Sequence, residues 1–216
     1  GIGAGMICFE GTGSLGSFSL RNKPEIFSEP TVFSAICVKG EKNVARVLEG
    51  QVPKWKIFSP GPDTVNYNGS GNGMSGRTYG LPRFAQAKFR TRFPFATVTL
   101  EDPKIPLKIE ITGWSPFTPP EPNDSSLPVA ALEYRFVNPT DKPIEAVYSF
   151  NARNFLATDA KPGKVAKIEN GFSLAAKKDP KGKPWDEAAF AAISLNADAN
   201  INCVWFRGGW YDPLTM

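Results

Sequence analysis

Histidine is absent from all 216 residues. That removes the commonest general base, the commonest metal ligand and the partner that activates a serine or cysteine nucleophile. Cysteine is scarce: Cys8, Cys37 and Cys203 lie far apart and form no CxxC pair, so a zinc site is not expected. Cys37 and Cys203 sit in apolar runs and read as small buried hydrophobes, with one disulfide and a spare thiol as the alternative. No stretch approaches eighteen apolar residues, which excludes a membrane-spanning helix. The formal charge of +4 arises from 25 basic and 21 acidic residues scattered without a basic arm, so a nucleic-acid partner is not indicated. The densest group, Lys177 to Lys183, is broken by Asp179, Pro180 and Gly182 and reads as a solvated loop.

What is plentiful is proline, with 20 residues, and glycine, with another 20. Both favour turns and strand edges over long helices. Period-two alternation dominates, most clearly in Leu107-Lys108-Ile109-Glu110-Ile111-Thr112. Residues 84–90, 93–100, 129–137 and 144–151 read as companion strands, with Leu132, Tyr134 and Phe136 on one side of theirs. Asn138-Pro139-Thr140-Asp141-Lys142-Pro143 reads as a turn, and Asn170-Gly171 as the centre of a two-residue type I′ hairpin. A last strand is expected over 201–206, and residues 185–193 fit a helix while 188–195 fit a strand, with strand preferred because the neighbours are strands. The expectation is an all-β chain: one large two-sheet antiparallel β-sandwich spanning residues 1–216, with long irregular loops at 60–82 and 115–128.

Gly1-Ile2-Gly3-Ala4-Gly5 fails as a dinucleotide fingerprint, because Met6 follows and no βαβ unit surrounds it. No cofactor or metal is therefore expected. Glycoside cleavage needs two carboxyl groups roughly 5–10 Å apart across a cleft, and the acidic residues here read mostly as solvated groups. Asp124, in Asn123-Asp124-Ser125-Ser126-Leu127-Pro128, is the exception: it reads as an Asx-type turn lock, or else as a sugar or interdomain contact. Trp55, Trp114, Trp185, Trp205 and Trp210 read as core or interdomain packing before sugar stacking. The chain opens at Gly1 and stops at Met216 with both ends expected to be cuts within a longer protein.

Several phrases, taken in order, resemble one family: Gly1 to Met6, Ser17 to Asn22, Gly80-Leu81-Pro82-Arg83-Phe84, Phe93-Pro94-Phe95-Ala96, Trp114-Ser115-Pro116-Phe117, Asp124 to Pro128 and Asn151-Ala152-Arg153-Asn154-Phe155. The series resembles the N-terminal region of glycoside hydrolase family 116, the non-lysosomal glucosylceramidases and microbial β-glucosidases, most clearly from Gly1 to about Phe155. The resemblance implies a non-catalytic β-sandwich whose partner is an (α/α)6 domain of the same polypeptide. That domain would carry the glutamate nucleophile and aspartate acid/base and take the β-glucoside or glycolipid substrate. No catalytic residue is carried over to this chain, which is expected to be inactive alone. Arg83, Asp124, Arg153 and Asn154, all within the matching phrases, are the expected cleft or interdomain contacts. A periplasmic or secreted location is the weak expectation. An independent carbohydrate-binding module and a structural or adhesion sandwich are the alternatives.

Overall fold

The structure is a computed structural model that describes residues 5–20, 29–57, 78–157, 163–176, 182, 187–196 and 198–203. The expected glycine turn at 1–4, most of the loop at 60–82, the lysine group of 177–183 except Gly182, and Trp185, Trp205 and Trp210 lie outside the described residues, as does the side chain of Trp55. The chain is all-β as expected, and it divides into two compact units, Gly1–Arg153 and Asn154–Met216. No described helix is long and apolar enough to cross a membrane.

In the first unit the four-residue strand β1 (Met6–Phe9) pairs with β2 (Leu15–Ser19). Strand β3 (Val32–Val38) lies between β4 (Val44–Val47) and β9 (Ala146–Ala152). Strands β5 (Gln86–Arg92), β6 (Phe95–Glu101), β7 (Lys108–Trp114) and β8 (Ala131–Val137) form an antiparallel meander. Two single-turn helices interrupt the strands, α1 (Lys54–Ile57) and α2 (Pro122–Ser125).

Alternation in the sequence becomes burial in the sheet. Val32, Ser34, Ile36 and Val38 of β3 point inward, and the register Val98↔Ile111 and Leu100↔Ile109 aligns the inward residues of β6 and β7. Ile36 and Val38 of β3 and the inward residues of β6 and β7 meet Leu48, Phe84 and Ile105 in one core, so the two larger sheets of this unit are the halves of a sandwich. Each fully buried aliphatic side chain contributes about 1.5–3 kcal/mol relative to exposure. Gly13 shows why the turn before β2 is glycine. Its φ of +89° is left-handed, and a Cβ there would meet the Leu48 carbonyl at 3.3 Å.

In the second unit β10 (Gly163–Ile168), β11 (Gly171–Ala176) and β12 (Ala189–Ile193) form an antiparallel sheet. Residues 189–193 are thus strand, as the sequence favoured. Ile201–Cys203 are not strand, and the rest of the expected terminal strand lies outside the described residues. The hairpin between β10 and β11 exists, but Ile168 pairs with Gly171, so its two loop residues are Glu169 and Asn170. Only Asn170 takes a positive φ, +52°. Gly171 serves a different need: a Cβ there would collide with the Ala192 carbonyl of β12. The dipeptide marked the hairpin correctly and its register by one residue wrongly.

Two smaller expectations are corrected. Cys203 is exposed and Cys37 half-buried on the outward face of β3, and all three cysteines are free thiols. The 115–128 segment stays out of the sheets, but Ser125 pins it rather than Asp124. Ser125 Oγ accepts the Thr118 N–H at 2.9 Å and reaches the Thr118 carbonyl at 3.3 Å. Asp124 contributes its backbone carbonyl, which accepts the Leu127 N–H, and its side chain is exposed.

Candidate functional site

The densest polar chemistry lies inside the first unit, where four separate segments converge on a small cavity. Chain geometry places them. Leu48 N–H bonds the Ser34 carbonyl, Val47 N–H the Pro82 carbonyl, Phe84 N–H the Glu49 carbonyl, and Gly50 N–H the Thr12 carbonyl. Residues 47–50, all buried, are thereby threaded between β3, the 78–84 segment and the turn that precedes β2. A polar residue at position 49 is largely withdrawn from bulk water and finds its partners within.

Glu49 finds Arg83. Arg83 is 6% exposed, and its guanidinium donates from Nε to Glu49 Oε2 at 3.0 Å. It also donates to the Thr78 carbonyl at 2.7 Å, the Leu81 carbonyl at 3.1 Å and Thr78 Oγ1 at 2.8 Å. Burial pushes the Glu49 carboxyl above the usual carboxylate range, against the pull of the Arg83 charge and hydrogen bond.

Beside this pair, Lys56 of α1 places its ammonium between Glu10 and Glu29, hydrogen-bonded to both. Glu29 Oε2 accepts the Tyr79 hydroxyl at 2.5 Å, and Glu10 Oε2 accepts Ser14 Oγ at 3.2 Å. Burial pulls the Lys56 pKa down, but the hydrogen bonds and charges of Glu10 and Glu29 outweigh it and hold the ammonium above the ordinary lysine range. Next to the cluster, Ser34 Oγ donates to Tyr134 Oη at 2.8 Å and lies 3.2 Å from Tyr148 Oη, bridging β3, β8 and β9. Burial raises both phenol pKa values.

The cavity lined by Glu29, Glu49, Lys56, Tyr79 and Arg83 measures about 30 Å³. That is room for a water or two and not for a sugar ring. No buried side-chain nitrogen or oxygen among the described residues lacks a hydrogen bond, and no described trio of carboxylates or thiolates converges as metal ligands. Chemically, the cluster holds two cations against three carboxylates. Mechanically, it fastens both flanks of residues 58–77 to the sandwich: Lys56 on one side, Thr78, Tyr79 and Arg83 on the other.

The four residues singled out by sequence are dispersed. Arg83 is at the heart of the cluster. Arg153 is exposed, while its backbone N–H bonds the Thr31 carbonyl at the cavity wall. Asp124 is exposed in the proline-rich loop and makes no described contact with the cluster. Asn154 opens the second unit, where its amide nitrogen donates to the Lys164 and Ala175 carbonyls and its oxygen accepts the Leu156 N–H at 3.1 Å. Sequence reasoning missed Glu10, Glu29, Glu49, Lys56 and Tyr79. The usable signal was Glu49 inside Val47-Leu48-Glu49-Gly50, a carboxylate with no solvated face.

Compared with known proteins, residues 1–201 match the family described as beta-glucosidase 2, glycosyl-hydrolase family 116 N-term. No curated protein matches the chain.

Proposed function

The chain belongs to glycoside hydrolase family 116 as its N-terminal domain, and from that premise we propose that it is a non-catalytic accessory domain. In this reading it packs against the catalytic domain of the parent and helps to shape the active-site cleft. Bond cleavage, at a β-glucoside or glucosylceramide-type glycolipid, belongs to that catalytic domain. The observation that carries the proposal is the state of the carboxylates at the cavity: buried Glu49 and half-buried Glu10 and Glu29 are each committed to a cation or hydroxyl around a space of about 30 Å³. A retaining or inverting pair needs one carboxyl free to protonate or attack across space that a sugar can enter.

The four residues named from sequence take two roles in this proposal. Asp124 and Arg153 are exposed and are direct contacts to the catalytic domain or its cleft. Arg83 and Asn154 act through the backbone they hold. The test compares the purified 216-residue chain with the parent enzyme on an aryl β-glucoside. Turnover by the parent and none by the chain is expected, and turnover by the chain alone would overturn the proposal. Oligosaccharide binding by the isolated chain in calorimetry would favour an independent carbohydrate-binding module instead.

A further inference from the structure

At one end of the four-stranded sheet the usual distribution of apolar residues is inverted. The last register row runs Arg92–Phe95–Trp114–Ala131 across β5, β6, β7 and β8. Phe93, in the β5–β6 turn, is 75% exposed and meets Phe117 edge-on at 4.8 Å, with Phe117 itself 51% exposed. Leu127 and Val129, on the approach to β8, are exposed by half or more. With aromatic side chains offering about 150–250 Å² each, the open apolar area is on the order of 500 Å². That matches the largest patch a monomer ordinarily carries, and such patches mark interaction sites. Two rows further along the sheet, on the same face, the residues are Thr97 and Thr112, 3.3 Å apart and hydrogen-bonded, and two rows beyond them Thr99 and Glu110. On the sheet side the patch is therefore bounded by polar residues, as the rim of an interface core is. It is also preorganised, because Ser125 ties α2 to Thr118 beside Phe117.

We infer that this phenylalanine-rich end is the surface on which the catalytic domain of the parent enzyme seats, an inference that rests on the accessory-domain reading above. The chemistry argues for a protein occupant. Phe93 stands at 75° to Phe117 and Phe95 at 51° to Trp114, so no two rings form the level platform that a pyranose stacks on. Leu127 and Val129 add aliphatic surface with no hydrogen-bonding group for a sugar hydroxyl. The match to the N-terminal domain of a β-glucosidase supplies the protein that would cover it.

Hydroxyl-radical footprinting of the parent enzyme and of the 216-residue chain, read residue by residue by mass spectrometry, tests the assignment. Labelling of Phe93 and Phe117 is expected to fall fivefold or more in the parent, while Val147 and Tyr148 of β9 label equally in both. Equal labelling of Phe93 and Phe117 with protection at β9 would overturn this surface and leave the accessory-domain reading standing. Equal labelling everywhere would overturn both. Protection of Phe93 in the chain alone that grows with concentration would assign the patch to a second copy and overturn the inference.

Discussion

Two regions of the first unit reverse the ordinary rule of polar outside and apolar inside. At the cavity, two cations and three carboxylates are drawn together, each bonded to an opposite charge. At the end of the four-stranded sheet, Phe93, Phe117, Leu127 and Val129 stand in solvent. The first inversion is complete within the chain, since each group has its partner. The second is incomplete, since the rings have only each other. A satisfied anomaly reads as architecture, and an unsatisfied one reads as a surface awaiting something else.

That contrast can be broken most forcefully at Lys56. Replacing it as Lys56→Met leaves Glu10 and Glu29 without their shared cation, and removing one partner of a buried ionic group costs about 3–5 kcal/mol. A urea midpoint unchanged from the parent sequence would mean that the cluster contributes nothing to folding. The matching change at the other region, Phe93→Ser, should stay within about 0.5 kcal/mol in the isolated chain, as exposed sites do. Leu100→Ala calibrates the scale: the side chain is fully buried between the sheets, and its loss should cost about 2–5 kcal/mol.

Acidity sharpens the comparison next, because groups with shifted pKa values lie in and beside the cavity cluster. Lys56, Tyr134 and Tyr148 all have raised pKa values in the folded state. Above about pH 10 the unfolded chain therefore loses protons that the folded one keeps, and stability falls as pH rises. Thermal melts between pH 8 and 11 should show the midpoint dropping, with tyrosinate absorbance appearing together with unfolding and not before it. Glu49 has the same sign at lower pH. Its carboxyl is raised by burial, so its contribution to stability declines as pH rises from its unfolded value of about 4.3 toward its folded one. A modest effect is expected for Ser125→Ala, about 1 kcal/mol. Its signature is local: faster amide exchange at Thr118 with the core strands unaffected.

The sheets were readable because their pattern is local. Lys108-Ile109-Glu110-Ile111 announces one buried face over four residues, and the structure buries Ile109 and Ile111. Register was harder. Asn170-Gly171 looked like the turn itself, yet the glycine is spent on the approach of Ala192 from β12, a strand that the local pattern cannot see. The Asp124 phrase misled for a similar reason, since the serine beside it reaches back seven residues to Thr118. The ionic cluster was the least readable. Glu10, Glu29, Lys56 and Tyr79 are separated by tens of residues and meet only through the tertiary fold. Of that set, Arg83 alone was picked out beforehand, through the family phrase that contains it.

The fastening of Lys56 on one side, and of Thr78, Tyr79 and Arg83 on the other, has a consequence for how this sequence can change. Both flanks are held by bonds to the sandwich itself, so the ends at Lys56 and Thr78 are fixed by described side chains whatever joins them. Closing a longer loop adds only about 0.6 kcal/mol for each doubling of its length. The scaffold is thereby a tolerant host at that site. Insertions there should be accepted by the fold far more readily than single replacements among the residues that grip its two ends.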